Sequence, residues 1–293
     1  MKKTLTELIS EGKTLVSDGA WGTFLQAKGL QPGECPELWN IHHSEAVLDI
    51  AQGYIDAGAD TIETNSFGGN RFKLEGFGLE SRVYEINHKA AEISRRAAGA
   101  DKYVLGSIGP TGKMLLMGDV TEDELYEAFK EQAVALYEGG ADALVIETMT
   151  AIDEAEIAVR ACRENTPCEV ICTMTFDHLS TGDYRTMMGV SPAEMVVALK
   201  GAGVHIVGAN CSNGIEGMIT ITEEIRSVDK DIPVLIHANA GLPVLQGMCT
   251  VFPESPEMMA AFAPRLAKAG ANIIGGCCGT TPEHIHRLVE VLK

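Results

Sequence analysis

Four stretches of the sequence are variants of one another: DAGADTIETN (56–65), EGGADALVIET (138–148), GAGVHIVGANC (201–211) and KAGANIIGGCC (268–278). Each reads as the end of a helix, a glycine, and then a buried strand rich in β-branched residues. Glycine suits that point because it accepts the left-handed conformation in which helices commonly end. The glycines are Gly58, Gly140, Gly203 and Gly270, and each interval between them is long enough for two strand–helix units. The additional strands are present. TLVSDGA (14–20) precedes the first junction, and YVLGSIGP (103–110), EVICTMTF (169–176) and PVLIHANAG (233–241) fall one in each interval. Eight strands alternating with helical segments predict a parallel sheet. Over 293 residues this predicts an α/β fold, a single (β/α)8 TIM barrel spanning residues 1–293, with an open doubly wound sheet as the alternative.

Counting seven residues on from each junction glycine gives Asn65, Glu147, Asn210 and Cys277, and eight gives Ser66, Thr148, Cys211 and Cys278. Polar and thiol side chains therefore collect at the carboxyl ends of strands two, four, six and eight. In a barrel of this kind, that rim is where active sites are built.

Composition narrows the partners. The chain has 23 Lys+Arg against 41 Asp+Glu, a net charge of −18, which argues against a nucleic-acid backbone or an anionic membrane as partner. No apolar run approaches the roughly 20 residues of a membrane span. The opening MKKTLTELISEG has no apolar core of a secretory signal, so a cytoplasmic location is expected.

In such a compartment the eight cysteines read as metal ligands, nucleophiles or small core residues rather than disulfide partners. Cys162, Cys168 and Cys172 are expected in the core. Cys277 and Cys278 make a poor disulfide, because adjacent Cα atoms lie about 3.8 Å apart, below the usual bridged range. Barrel closure brings Cys211 to them. Three thiolates suit Zn2+ and leave one coordination position open, the mark of a catalytic site. Successive strand residues alternate faces, so the backbone must bend for both Cys277 and Cys278 to point inward, and Gly275, Gly276 and Gly279 permit it. Such a metal would hold an incoming thiol as thiolate at neutral pH, which points to alkyl transfer onto a substrate thiol.

DGAWGTFLQ (18–26), ETNSFGGNR (63–71), GSIGPTGK (106–113), the pair Asn210–Cys211 and GGCCGTTPEHI (275–285) resemble the motifs of the zinc-dependent homocysteine S-methyltransferase family. Within it, the chain is most similar to the homocysteine-binding module of cobalamin-dependent methionine synthases. The resemblance runs along essentially the whole chain. It implies a (β/α)8 barrel, one Zn2+ on Cys211, Cys277 and Cys278, and transfer of a methyl group to homocysteine to give methionine. It assigns Asp18 and Glu147 to the substrate ammonium group. Backbone N–H groups from Gly19 to Thr23, at the start of a helix, would receive the carboxylate. Trp21 departs from the smaller or methionine residue expected in the family, which leaves open the shape of the pocket mouth and the choice of thiol. Asn239 would offer its oxygen to zinc in the substrate-free state or else form hydrogen bonds. Asn210 is expected beside the substrate, fixing local backbone geometry.

His237 reads as a satisfied core histidine, with a fourth metal ligand as the alternative. The segment DYRTMMGVSP (183–192) reads as a loop that covers the site. The methyl donor stays open among a methylcorrinoid on a separate protein, S-methylmethionine and a betaine. The first is preferred, and no corrinoid- or pterin-binding domain is expected within the chain.

Overall fold

The computed structural model describes residues 2–246 and 249–293. Its eight barrel strands are β1 (Leu15–Val16), β2 (Thr61–Glu63), β3 (Tyr103–Ile108), β4 (Ala143–Met149), β5 (Glu169–Met174), β6 (Ile206–Gly214), β7 (Val234–Asn239) and β8 (Ile273–Gly276). All pair in parallel, in the order β1-β8-β7-β6-β5-β4-β3-β2. A major helix follows each strand: α1 (Ser44–Asp56), α2 (Val83–Ala98), α3 (Glu122–Glu138), α4 (Ile152–Asn165), α5 (Pro192–Ala202), α6 (Ile215–Val228), α7 (Pro256–Ala269) and α8 (Pro282–Leu292). Local sequence sets these boundaries. The hydroxyls of Thr121 and Ser191 cap α3 and α5 in reciprocal boxes with Glu124 and Glu194, and Pro192 opens α5.

The expected barrel is found, not the open sheet. Only the β1–β2 seam lacks a regular ladder, and other hydrogen bonds span it. The Asp60 N–H donates to the Val16 carbonyl at 2.7 Å, and the Asp60 carboxylate accepts from the Val16 N–H at 2.9 Å. Higher up, the Thr61 hydroxyl donates to Ser17 Oγ at 2.7 Å and the Glu63 N–H donates to Asp18 Oδ2 at 2.9 Å. The four junction glycines all have positive φ: 101° at Gly58, 110° at Gly140, 86° at Gly203 and 119° at Gly270.

Strand alternation sorts the interior by height. Near the amino ends, Leu15, Tyr103, Leu105, Ala143, Val145, Ile171, Ile206, Leu235 and Ile273 form one buried apolar cluster. Two residues further along the same faces stand Ser17, Ser107, Glu147, Thr173 and His237, all buried and polar. A short helix, Leu5–Ser10, seals the base by adding Leu5 and Leu8 to the apolar cluster. Glu169 holds that helix through the N–H groups of Leu5 and Thr6, at 2.6 and 3.1 Å. A larger apolar layer lies between strands and helices. Among the described residues, no helix is long and apolar enough to cross a membrane.

Barrel closure needs close strand approach at Gly208, where a Cβ would collide with the carbonyl oxygen of Leu235 on β7. Gly208→Ala is therefore expected to destabilise the fold by about 3 kcal/mol, read as a lowered urea midpoint with an unchanged slope. A midpoint equal to wild type would show that β6 and β7 are less tightly apposed than described.

Candidate metal centre and substrate pocket

The same backbone device operates on two strands of the rim. β4 and β6 each break register near their carboxyl ends, between Ile146 and Met149 and between Asn210 and Gly214. Thr148 and Cys211, at equivalent places in the repeat, have φ of 61°, and Ser212 has φ of 54°. A non-glycine residue in this region costs on the order of 1 kcal/mol. The break allows consecutive residues to face the same way: Glu147 and Thr148 line one cavity, and Cys211 joins them from β6. On β8 the strand ends at Gly276 and the chain turns. Cys277 donates its N–H to the Ala238 carbonyl at 2.7 Å, and the Cys278 carbonyl accepts from the Ala240 N–H at 3.0 Å. The Thr280 hydroxyl donates to the Cys277 carbonyl at 2.8 Å, and Gly279 takes φ of 81°. This is the bend expected between the paired cysteines.

The Sγ atoms of Cys211, Cys277 and Cys278 lie within 4.8 Å of one another, and all three residues are half-buried. Sulfurs bonded to one tetrahedral Zn2+ at about 2.3 Å would be about 3.8 Å apart, so this donor set fits the metal. Hydrogen bonding with Cys277, then Cys278, holds the Cys211 thiol well below its ordinary range, and the same bonding to Cys211, with burial, pushes Cys277 and Cys278 up. The side chain of Asn239 lies beside the Cys211 sulfur and helps to lower its thiol, and its Oδ1 is buried without a partner among the described residues.

A cavity of about 260 Å³ opens beside the sulfurs, lined among others by Gly19, Trp21, Thr23, Glu63, Glu147 and His237. Among the described residues, no Lys or Arg lines it. Burial pushes the carboxyls of Glu63, Glu147 and Asp18 up from the usual carboxylate range. Burial also holds the His237 imidazole below its ordinary range. Glu147 is oriented by the Ser107 hydroxyl and by Asn210 Nδ2 at 3.3 Å. Asn210 also donates to Thr148 Oγ1 at 2.7 Å and accepts from the Thr148 N–H at 2.8 Å and from the Thr173 hydroxyl at 2.7 Å. It thus holds the left-handed turn and does not reach the cavity wall. Gly19 and Thr23 do line the cavity, and the Gly22–Ala27 helix that begins there has no side-chain cap on its first turn.

Asp18 sits behind the wall. Its Oδ2 accepts the Trp21 indole N–H at 2.9 Å and the Glu63 N–H at 2.9 Å, and its Oδ1 accepts the Ser17 hydroxyl at 3.1 Å. Two other expectations need correction. His237 is not a satisfied core residue: it lines the cavity, and its Nε2 has no partner among the described residues. Nor does the 183–192 loop line the cavity. It starts in a hairpin pairing Asp177–His178 with Tyr184–Arg185, and Met187 and Met188 instead border a neighbouring groove with Met114 and Leu116. Cys162, Cys168 and Cys172 lie in the core as expected, with burial pushing each thiol up. The sequence reading missed Glu63. Its signal was present: an acid two residues before Asn65, and so in step with it on the inward face.

The sequence profile of the family described as homocysteine S-methyltransferase matches residues 15–292. The methionine synthase of Mycobacterium tuberculosis is 33% identical over 304 residues, and that of Mycobacterium leprae 32% over 296. These alignments take in 98% and 96% of this chain but 25% and 24% of the relatives, so the chain spans about a quarter of the length of those proteins. The metallated homocysteine methyltransferase MmuM from Escherichia coli superposes with a TM-score of 0.79 at 23% identity, over 97% of this chain and 98% of that one, which shows a shared fold.

Because two of the three thiols are pushed up, binding of Zn2+ near neutral pH is expected to release about two protons, and affinity is expected to fall as pH is lowered. Calorimetry in buffers of different ionisation enthalpy measures both. Cys211→Ser should weaken Zn2+ binding by about a hundredfold or more. Unchanged binding would remove Cys211 from the metal centre.

Proposed function

The chain belongs to the homocysteine S-methyltransferase family, and we propose that it moves a methyl group onto the thiol of homocysteine to give methionine, using one Zn2+ held by Cys211, Cys277 and Cys278. The observation that carries this reading is the pairing of two environments in one cavity. Three sulfurs stand at one side, and buried carboxyls, with no Lys or Arg among the described residues, line another. Homocysteine has the matching ends: a thiol and, four bonds away, an ammonium group.

Bound to the three sulfurs, zinc supplies Lewis acidity, which keeps a thiol with an ordinary pKa near 8.5 ionised at neutral pH. The chain's own residues do the rest. Glu147, fixed by Ser107 and Asn210, faces the ammonium group. Asp18 adds negative charge from behind the wall and steadies Trp21. The N–H groups at the start of the Gly22–Ala27 helix, next to Gly19, receive the carboxylate. Asn239 offers Oδ1 to the metal when no thiol is present. Holding the thiol sulfur in one place turns methyl transfer into a positioned encounter, a large part of any such rate enhancement. The sulfur loses its proton and gains the methyl group, and the donor leaves with the bonding electrons.

A methylcorrinoid carried by a separate protein or domain suits as donor. The relatives called methionine synthase are much longer than this chain. Loops at the strands' carboxyl ends also expose Leu116, Met117, Met187 and Leu245, at 69% or more of their surface. Leu116 and Met187 border one groove, and exposed apolar surface beside a site is where another macromolecule would sit. S-methylmethionine or a betaine would reach the cavity by diffusion instead. Cytoplasmic placement fits the three thiols, which an oxidising compartment would threaten.

The zinc-loaded protein, given homocysteine and each donor in turn, is expected to form methionine with methylcobalamin, read by mass spectrometry. Methionine from S-methylmethionine or betaine alone would reassign the donor. No methionine from any of the three would overturn the activity.

A further inference from the structure

We propose that Glu63 is a second carboxylate that receives the acceptor's ammonium group beside Glu147, with Trp21 and Asp18 as the pair that positions it. This assignment rests on the homocysteine reading above and says which residues recognise the amine.

Glu63 ends β2 on its inward face, lines the cavity, and has a side chain only 9% exposed. Its Oε1 is buried and has no hydrogen-bond partner among the described residues. The nearest basic group is His237 Nδ1 at 3.4 Å. Neighbouring hydroxyls are committed elsewhere: Ser107 Oγ to Glu147, and Thr64 Oγ1 to Ser66 Oγ at 2.5 Å. A buried carboxyl oxygen with an unused lone pair is costly to leave unmet, and more so where the dielectric is low. A charged N–H donor from a ligand would meet it.

Asp18 is far less available. Both of its oxygens accept hydrogen bonds from the protein, and it does not line the cavity. The indole N–H of Trp21 takes one of those places. The Glu63 backbone N–H takes another, so Asp18 fixes the strand end from which the Glu63 side chain projects. One acid therefore points into the cavity, and the other anchors the strand end that carries it. An amine seated between Glu63 and Glu147 would face two carboxylates, and a thiol lacking the amine would face none it could satisfy. The pocket then selects aminothiols over plain mercapto acids.

The test compares Zn2+-loaded wild type and Glu63→Gln by calorimetry, using homocysteine and 4-mercaptobutyrate, which has the same skeleton without the amine. Loss of one charge-assisted hydrogen bond predicts that Glu63→Gln binds homocysteine about tenfold or more weakly, while 4-mercaptobutyrate changes less than about twofold. Glu63→Asp, which keeps the charge on a shorter arm, should show the same selective loss to a smaller degree, and it carries the test should the Gln variant fail to fold. Equal homocysteine binding in variant and wild type overturns the assignment alone. Parallel weakening for both thiols also overturns it, since a merely structural role would do that. A wild-type protein that binds neither thiol overturns the homocysteine reading and this assignment with it.

Discussion

Three sulfurs within 4.8 Å of one another resist carrying three charges. Two unit charges about 4 Å apart repel by about 4 kcal/mol at an effective dielectric near 20. The surrounding backbone nevertheless holds them there. One sulfur comes from β6 and two from the turn after β8, and β7 lies between these strands, hydrogen-bonded to both. A divalent cation among them would offset that repulsion. The left-handed turn at Cys211, the tether from Thr280 and the unpartnered Asn239 oxygen all lie around these sulfurs.

Much of this was legible because the repeated junction is a local signal with one physical meaning. A glycine that must end a helix, followed by a buried strand, fixes where each strand starts, and a count of residues then fixes its height at the rim. That reasoning brought Cys211 to Cys277 and Cys278 and put Glu147 and Thr148 at the same level. What it could not reveal were reversals of strand alternation by non-glycine residues. Thr148 and Cys211 adopt positive φ because Asn210 and the neighbouring strands hold them, and nothing in their side chains announces it. The place of Asp18 was hidden for a similar reason. Its position at the end of strand one was clear, but its capture by Trp21 depends on an indole reaching back over a turn. The 183–192 segment looked like a cover, and the hairpin that diverts it forms through pairing of Asp177 with Arg185 and His178 with Tyr184.

The interior also separates stability from chemistry by height. Below, the inward side chains are aliphatic apart from Tyr103 and need no partner. Above, Ser17, Thr61, Glu63, Ser107, Glu147, Thr173, Asn210 and His237 form a polar layer in which nearly every group answers another. The exceptions, Glu63 Oε1, His237 Nε2 and Asn239 Oδ1, belong to residues at or beside the cavity and the sulfurs. Unmet hydrogen-bonding capacity in an otherwise satisfied layer is the arrangement expected of a surface built to be completed by a guest.

The helix that stoppers the base, through Leu5 and Leu8, has a consequence for traffic. With the lower barrel filled by packed side chains, the rim at the strands' carboxyl ends is the doorway that an acceptor and a donor would share. A donor brought by a bulky carrier would stand in that doorway while the product waits inside. Turnover would then be paced by the carrier stepping away, and the order of arrival would be imposed by architecture before any preference of the reaction itself.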